Sequence, residues 1–369
     1  MKFTCEKYLL QNAIATAARA AAPKSPIPAL EGLLIEAGSQ VRITGYDLKK
    51  GIYTAFPADV AQPGSIVLGA RIFGEIVRSL PDGIVTVQMD GEKRVVIRCG
   101  SAEFSIMGTD TADYPELPSV DRQNSVTIQQ GILRDMIGET LFAVSDNESR
   151  PIYTGALFEV EAEQLTLVAV DGYRLALRTE AILENALQDP KFIVPATALS
   201  DVEKLCADSE DPVTITVGSK HVSFAFDRTV LISRRLEGEF LNYRKSIAED
   251  FGIQITAKRA ELAKTIDRVS LIIDDKVKNP LRCYVRKDRI DFTCVTALGR
   301  AEDSCPVEGD GGDLEIGFNN RYLSDALKAA PAEEIVVCLN TGSTPCIFKP
   351  VDGSERFLYM ILPVRLRAE

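Results

Sequence analysis

Residues 314–330, LEIGFNNRYLSDALKAA, predict a strand, a short turn and an amphipathic helix. The same order of patterns occurs twice earlier in the chain, in GSIVLGARIFGEIVRSL at residues 64–80 and in KFIVPATALSDVEKLC at residues 191–206. After each segment comes a strand with three alternating apolar residues, and these strands begin at Val85, Val213 and Ile335. A pattern that recurs at intervals of roughly 125 residues indicates tandem domains.

Two further patterns recur with the same period. Each repeat contains a pair of strands around a polar turn, and each opens with a helical pattern, over residues 7–20, 130–143 and 258–271. We therefore predict three copies of one α+β unit, each with two helices and roughly eight short, mostly antiparallel strands.

Polar stretches separate the copies, PSVDRQNS at residues 118–125 and KSIAEDFG at residues 245–252. The predicted domains are residues 1–120, 126–246 and 247–369. Three tandem domains leave no room for a separate catalytic domain.

The composition is that of a globular protein, with 46% hydrophobic and 26% charged residues among 369. No apolar run approaches the roughly 18 residues that a membrane span needs. Charged residues such as Glu6 and Lys7 interrupt the N-terminal apolar stretch, so it does not resemble a signal peptide and we expect a cytoplasmic protein without a membrane partner. Eight cysteines without a C-x-x-C pair, and one histidine, His221, predict reduced packing cysteines, no metal site and no cofactor.

The net charge of −11 taken alone argues against a nucleic-acid partner. The positions of the cations indicate otherwise, because what matters is where they lie. In the helix of each repeat unit one cation ends the polar face, and these cations are Arg78, Lys204 and Lys328. Arg71 lies seven residues before Arg78, on the same face of its helix.

The first helices add further cations: Lys7, Arg19, Arg134, Lys258, Lys264 and Arg268. A segregated cationic layer in an acidic protein predicts that a polyanion is held on one side only. Because no base-reading motif is visible, we expect contacts to phosphates and not to bases.

The chain resembles the family of bacterial DNA polymerase III beta subunits, the sliding clamps, from MKFTCEKYLLQNAI to YMILPVRL. The sharpest matches are TGYDL at 44–48, VAVDGYRLA at 168–176, LEIGFNNRYL at 314–323 and LPVRL at 362–366. The resemblance implies three tandem copies of the DNA-clamp fold, each with two helices packed on antiparallel sheets. It also implies a head-to-tail homodimer that forms a ring around duplex DNA. Such a protein is a non-catalytic processivity factor.

The resemblance further implies a hydrophobic pocket between the second and third domains. Peptide motifs of the replicative polymerase catalytic subunit, the clamp loader, other polymerases and repair proteins dock there. The family's pocket residues correspond to Tyr153, Val170, Gly172, Tyr173, Arg174, Leu175, Leu241, Asn319, Tyr322, Met360, Ile361, Leu362, Pro363, Val364 and Arg365. This sequence has Leu241 where proline is usual and Tyr173 where histidine is common, so the preferred peptide can differ.

The family's DNA contacts correspond to Lys24, Arg71 and Arg78, with Asn147 and Arg150 as weaker correspondences. The family's dimer contact corresponds to Phe104 and Ile106 on a predicted edge strand, which meet Ile272 and Ile273 of the other chain.

The last residues, YMILPVRLRAE, are unusually apolar for a chain end. We expect Phe357 to Leu362 to pair as a strand and Pro363 to leave the sheet, since proline cannot donate to a ladder. That turn would bring Val364 and Arg365 toward the turn of VAVDGYRLAL, residues 168–177.

Two other functions remain possible from the residues alone. An enzyme would use Asp47 and Asp171, which occupy equivalent places in two repeats, but the third repeat is expected to have Ala297 there. Metal-dependent phosphoryl chemistry needs clustered carboxylates, and this sequence predicts Asp47 and Asp171 in different domains. The other alternative is a three-domain scaffold that binds peptides and never nucleic acid, which the acidic charge favours and the cationic layer opposes.

Overall fold

The computed structural model describes residues 1–121, 123–274 and 279–366. Over these residues the chain forms helices and strands in the order that the α+β prediction requires. The helices are α1 Lys7–Ala17, α2 Ala70–Ser79, α3 Gln130–Gly138, α4 Ala196–Leu205, α5 Arg259–Val269 and α6 Asn320–Ala329. They come in pairs, two to each repeat, as the sequence predicts.

Each repeat has nine strands in the described part of the chain, slightly more than predicted. Those of the first repeat are β1 Lys2–Glu6, β2 Gly32–Ala37, β3 Val41–Tyr46, β4 Lys50–Phe56, β5 Asp59–Gln62, β6 Gly64–Gly69, β7 Ile84–Met89, β8 Arg94–Cys99 and β9 Ala102–Met107. Those of the second are β10 Ser125–Gln129, β11 Gly155–Glu161, β12 Gln164–Val170, β13 Arg174–Ala181, β14 Glu184–Asn185, β15 Lys191–Pro195, β16 Pro212–Val217, β17 His221–Ala225 and β18 Thr229–Arg234. Those of the third are β19 Ile253–Lys258, β20 Leu281–Val285, β21 Arg289–Thr296, β22 Gly299–Pro306, β23 Glu308–Asp310, β24 Leu314–Phe318, β25 Glu334–Leu339, β26 Cys346–Pro350 and β27 Phe357–Ile361.

The described strands form four sheets. A five-stranded sheet has the order β5-β1-β7-β8-β9, and a four-stranded sheet has the order β22-β21-β20-β24. Two nine-stranded sheets have the orders β14-β10-β16-β17-β18-β4-β3-β2-β6 and β15-β11-β12-β13-β27-β26-β25-β19-β23.

Both nine-stranded sheets join consecutive repeats in the same way. The fourth strand of one repeat pairs antiparallel with the ninth strand of the next, β4 with β18 and β13 with β27. The equivalent strands of the remaining pair are β22 and β9, and each is the edge of its own sheet in the described chain. In the described chain, the four- and five-stranded sheets therefore each end at a strand whose equivalents form the two internal junctions.

The described chain separates into two compact units. The first is Met1–Gly131, Leu183–Asp189 and Ala198–Arg235, and it contains the β4–β18 junction. The second is Ile132–Ile182, Pro190–Thr197 and Leu236–Glu369, and it contains the β13–β27 junction. The domain boundaries predicted near residues 120 and 246 stay predictions, because the compact units divide the second repeat between them.

Helix α2 shows how the sequence pattern becomes structure. Phe73, Ile76 and Val77 are buried in the core that the helix shares with the five-stranded sheet. Arg71 and Arg78 are exposed on its other side, as helical spacing requires. Burial of the apolar stripe therefore fixes which way the cations point.

All eight cysteines are buried and none forms a disulfide, which agrees with the predicted packing role. No helix in the described ranges is long and apolar enough to cross a membrane.

Candidate functional site

The turn at residues 171–174 is shaped by the carboxylate of Asp171. Its Oδ1 accepts hydrogen bonds from the backbone N–H groups of Tyr173, at 2.9 Å, and Arg174, at 3.0 Å. Its Oδ2 accepts from Arg174 Nε at 2.9 Å. Gly172 has a φ of 92°, in the left-handed region that favours glycine. Asp171 is thus fully occupied in holding the turn, as its predicted architectural role requires.

The equivalent turns of the other repeats are built alike. Asp47 Oδ1 accepts from two backbone N–H groups of its own turn, at 2.9 and 2.7 Å. In the third repeat Thr296 Oγ1 accepts from the backbone N–H of Leu298 at 3.1 Å. The expectation that Ala297 holds this place was wrong by one residue, because the tight β21–β22 hairpin pairs Thr296 directly with Gly299. A repeated turn residue of this kind is an architectural feature.

Beside the turn lies the apolar floor of the predicted pocket. Val170, Leu175 and Met360 are buried in one hydrophobic cluster, and Tyr153 and Leu241 pack against it partly exposed. The β13–β27 pairing sets Leu175 directly opposite Met360. The second and third repeats therefore both contribute to this floor, which lies wholly within the second unit.

Arg174 organises the rim of the pocket. Its Nη1 lies 2.5 Å from Asp325 Oδ2 in α6, and its guanidinium lies 4.6 Å from the ring centroid of Tyr322. The rings of Tyr322 and Tyr173 stack with centroids 6.1 Å apart. Burial raises the pKa of Tyr322, and Tyr173 is 61% exposed. The exposed ring of Tyr173 thus stacks on Tyr322, which in turn lies over the paired guanidinium of Arg174.

The C-terminal segment is hydrogen-bonded both to this turn and to β24. The backbone N–H of Leu362 donates to Tyr173 O at 2.8 Å, and that of Val364 donates to Gly317 O at 2.8 Å. Pro363 lies between them and has no N–H to donate. The strand ends at Ile361, one residue earlier than predicted. Leu362 contacts the turn and Val364 is bonded to β24, and the approach of Val364 and Arg365 to the turn stays a prediction.

Two predicted pocket residues, Ile361 and Asn319, have defined places in the scaffold. Ile361 is 1% exposed, and because strand side chains alternate, it faces away from the cluster that contains Met360. Asn319 caps α6, since its Oδ1 accepts from the backbone N–H of Arg321 at 3.0 Å. Their part in the pocket stays a prediction.

The predicted DNA-contact residues are exposed, and they are distributed over both units. Arg71, Arg78, Lys204 and Lys24 belong to the first unit, and Asn147, Arg150 and Lys328 belong to the second. Among the residues that the structure describes, Lys24, Arg78 and Lys204 make no ion pair. Arg71 lies 3.3 Å from Glu75, and Lys328 lies 4.0 Å from Asp267. Three equivalent helix ends therefore do carry exposed cations.

Three of the cations of the first helices are paired within the protein. Lys7 Nζ donates to Leu80 O and Asp82, and Arg19 lies 3.7 Å from Asp201. Arg268 Nε donates to Asp303 at 2.6 Å. These three charges are paired within the protein, whereas Lys264 is exposed, so a contribution of the first helices to the cationic layer stays a prediction.

The predicted dimer residues lie at sheet edges or beside them. Phe104 and Ile106 belong to the edge strand β9, and Phe104 is 36% exposed. Ile272 ends a short 3₁₀ turn and Ile273 follows it, each partly exposed. Their neighbour Leu271, which the sequence analysis passed over, is 83% exposed.

Asp325 and Asp201 are further functional residues that the sequence analysis missed. Asp201 pairs with Lys50 at the β4–β18 junction as Asp325 pairs with Arg174 at the β13–β27 junction. The internal repeat could have revealed these two pairs. An acidic residue recurs at the same position of the second helix of a repeat, and a cation recurs at the last residue of the turn, where the fourth strand begins.

No group of three or more histidine, cysteine, aspartate or glutamate side chains in the described ranges could hold a metal ion. The arrangement is that of an apolar cluster beside stacked tyrosine rings, together with exposed cations at equivalent helix ends. Nothing in this part of the described chain resembles a set of acid, base and nucleophile.

Comparison with known proteins agrees with this picture. Family models of the DNA polymerase III beta subunit match residues 1–118 (N-terminal domain), 127–242 (central domain) and 244–365 (C-terminal domain). The beta sliding clamp of Staphylococcus aureus is 29% identical over 376 aligned positions that cover 99% of both chains. The crystal structure of the Bacillus subtilis DNA polymerase sliding clamp is 30% identical, covers 100% of both chains and has a TM-score of 0.95. A putative DNA polymerase III beta subunit from Eubacterium rectale is also 30% identical, with a TM-score of 0.93. This chain therefore belongs to the DNA polymerase III beta subunit family of sliding clamps.

Proposed function

We propose that two copies of this chain close into a ring around duplex DNA and tether a DNA polymerase through the pocket at the β13–β27 junction. The chain is a non-catalytic processivity factor, and the ring, the DNA contacts and the pocket are the means by which it acts. One observation carries the proposal. The fourth strand of a repeat pairs with the ninth strand of the next repeat at two places in the chain, and the third equivalent pair, β22 and β9, lies at sheet edges.

The internal repeat supplies the register of the proposed subunit contact. At the β13–β27 junction, Arg174 lies opposite Ile361 and Ala176 lies opposite Tyr359. An isolated bridge occurs at the equivalent place in each repeat, and these bridges align the ninth strands with one another. They join Val67 with Thr109, Ile193 with Leu236, and Gly317 with Val364. By this alignment Phe104 occupies the place of Tyr359. Its partner strand is then β22 of the other copy.

The same alignment identifies the side chain that covers Phe104. Phe142 follows α3 and packs edge-on against Tyr359, with ring centroids 5.2 Å apart. A short 3₁₀ turn follows the first helix of both the second and the third repeat. The first of these turns ends with a hydrogen bond from the backbone N–H of Val144 to Leu141 O, and the second with one from Ile273 to Ser270 O. Leu271 is therefore the equivalent of Phe142. Leu271 should therefore pack on the partner subunit's Phe104. An exposed apolar edge strand needs such a cover.

Closure of two such contacts gives a ring whose helix-borne cations meet the DNA. Arg78, Lys204 and Lys328 end equivalent helices and are exposed. Cations at a helix C-terminus are also favoured by the helix dipole. Phosphate contacts of this kind are independent of base sequence and are weakened by salt, which suits a protein that must slide.

The pocket suits a short peptide with one or two large apolar side chains. Its floor is apolar, its rim is aromatic, and the charge of Arg174 is neutralised by Asp171 and Asp325. A polymerase that carries such a peptide is then held to the DNA without a direct contact between pocket and DNA.

One experiment separates this function from that of a peptide-binding scaffold. The protein is loaded on a nicked circular duplex at high concentration or by a clamp loader, and retention is measured by gel filtration before and after the circle is cut. Retention on the circle, lost on linearisation, is expected for a closed ring. Equal retention on linear and circular DNA, or none on either with dimers present, would contradict the proposal and favour the scaffold.

A further inference from the structure

The linker segment, residues 240–247, crosses the apolar cluster and forms one wall of the pocket. The ring of Phe240 meets the ring of Tyr153 edge-on at 5.6 Å, and Leu241 packs on the cluster itself. The backbone N–H of Tyr243 donates to Leu241 O at 2.8 Å, with Asn242 at φ −74° and ψ 81°. This is an inverse γ-turn, so Leu241 and Tyr243 are held in one rigid turn.

The side chains of Tyr243 and Arg244 both donate hydrogen bonds to one buried carboxylate, that of Glu159 in β11. The Tyr243 hydroxyl donates to Glu159 Oε2 at 2.5 Å, and Arg244 Nη2 donates to the same oxygen at 2.7 Å. Lys191 pairs with Glu159 Oε1 from the neighbouring strand. Glu159 is 2% exposed. Burial opposes its ionisation, but the three hydrogen bonds outweigh burial and lower its pKa to about 2.

Apolar contacts alone do not fix where a segment lies along a sheet, because the hydrophobic effect is non-directional. Hydrogen bonds to a buried charge are short, strong and directional. Glu159 receives two of them from adjacent linker residues, and it lies on the cluster side of β11 two residues from Leu157, which belongs to the cluster. The place of Leu241 in the pocket wall therefore depends on where this carboxylate holds Tyr243.

We propose that Glu159 is a positioning residue for the peptide pocket: it anchors the linker segment so that Leu241 forms the pocket wall. The inference rests on the proposed peptide-binding function and names a residue that need not touch the peptide.

The test uses the full chain and a fluorescent peptide that ends in a leucine–phenylalanine pair. Binding is titrated for the wild type, Glu159→Gln, Tyr243→Phe, the double variant and Glu161→Gln. Glu161 is the matched control, since it is exposed and contacts only Arg244 of the linker, at 3.2 Å. Glu159→Gln and Tyr243→Phe are each expected to weaken binding about fivefold, the scale of one net hydrogen bond. Glu161→Gln should stay within twofold.

The double variant and the linker's hydrogen exchange exclude a general loss of structure. Both changes weaken the same Tyr243–Glu159 bond, so the double variant should bind no more weakly than the poorer single variant. Exchange should quicken within residues 240–247 and stay unchanged in α3 and α6. Tyr243→Phe removes only a hydroxyl, so it keeps the test valid if Glu159→Gln folds poorly.

Three results would overturn the inference. Wild-type affinity in both single variants would show that the anchor does not position the wall. Additive losses in the double variant, with faster exchange throughout the second unit, would show a structural effect only. Failure of the wild type to bind the peptide would instead refute the proposed pocket, and the positioning role with it.

Discussion

Leu271→Ala should convert the dimer into folded monomers at concentrations where the wild type is dimeric. Leu271 is 83% exposed in the single chain, which leaves nearly all of its side chain to be covered by a partner. Its equivalent, Phe142, is covered by Tyr359 at 5.2 Å in the second unit. The substitution leaves the backbone unchanged and removes only the proposed contact with the partner subunit's Phe104.

The magnitude follows from the carbon atoms removed. Leu→Ala deletes three carbons at about 0.8 kcal/mol for each that is buried, and the exposed fraction reduces the total to about 2 kcal/mol for each junction. A ring of two subunits has two junctions, so the dimerisation free energy falls by about 4 kcal/mol. Since a tenfold change corresponds to about 1.4 kcal/mol, the dimer dissociation constant should rise by roughly a thousandfold.

The assay is sedimentation equilibrium over a range of protein concentrations, with circular dichroism to show that the fold is kept. Leu183→Ala is the matched control, because Leu183 is also an exposed leucine, at 53%, but is not in β9, β22 or the 3₁₀ turn at Leu271. If Leu271→Ala dimerises as tightly as Leu183→Ala, the register taken from the internal repeat is wrong. The substitutions Ile272→Asp and Ile273→Asp then test the contact that the family resemblance implies.

Three further predictions follow from the site. Lys24→Ala and Arg78→Ala should weaken DNA retention equally for unrelated sequences, and each should make the logarithmic salt dependence shallower by about 1, the value for one phosphate that is no longer neutralised; a strong preference for one sequence would contradict phosphate-only binding. A chain that ends at Pro363 loses the bond to Gly317 and should bind the peptide more weakly while it stays dimeric; equal peptide affinity would remove the C-terminal segment from the pocket. Glu159 has a pKa of about 2 against an ordinary value of 4.5, so its contribution to stability is present above pH 4.5 and is lost as the pH falls toward 2. Glu159→Gln should therefore flatten that part of the curve of unfolding free energy against pH. An unchanged curve would refute the anchor.

The repeat made most of the fold predictable. Apolar alternation beginning at Val85, Val213 and Ile335 located three equivalent strands, and the helical spacing of Phe73, Ile76 and Val77 located the buried face of α2. These patterns depend on burial, which repeats with the period of the element. The direction of Arg78 followed from the same spacing, because a helix with one buried face exposes the other.

Turn alignment, the face taken by a strand residue and the partners of ion pairs were beyond the sequence patterns. The one-residue error at Ala297 arose because a tight hairpin shifts the alignment without any change in apolar periodicity. Burial of Ile361 was missed because a motif match does not report which face of a strand a residue takes. The pairing of Lys7 and Arg268 within the protein was missed because an ion pair depends on distant residues, Asp82 and Asp303.

The two junctions within the chain and the proposed junction between chains differ in one respect. Lys50 pairs with Asp201 and Arg174 pairs with Asp325, so each internal junction joins a turn to a helix of the next repeat through an ion pair. At the proposed third junction the repeat register would put Gly299 in the place of the cation, opposite the partner subunit's Glu75. Glu75 is paired instead with Arg71 on its own helix, at 3.3 Å. We therefore expect the contact between subunits to rest on apolar burial and strand pairing without this ion pair, and to open more readily than the internal junctions.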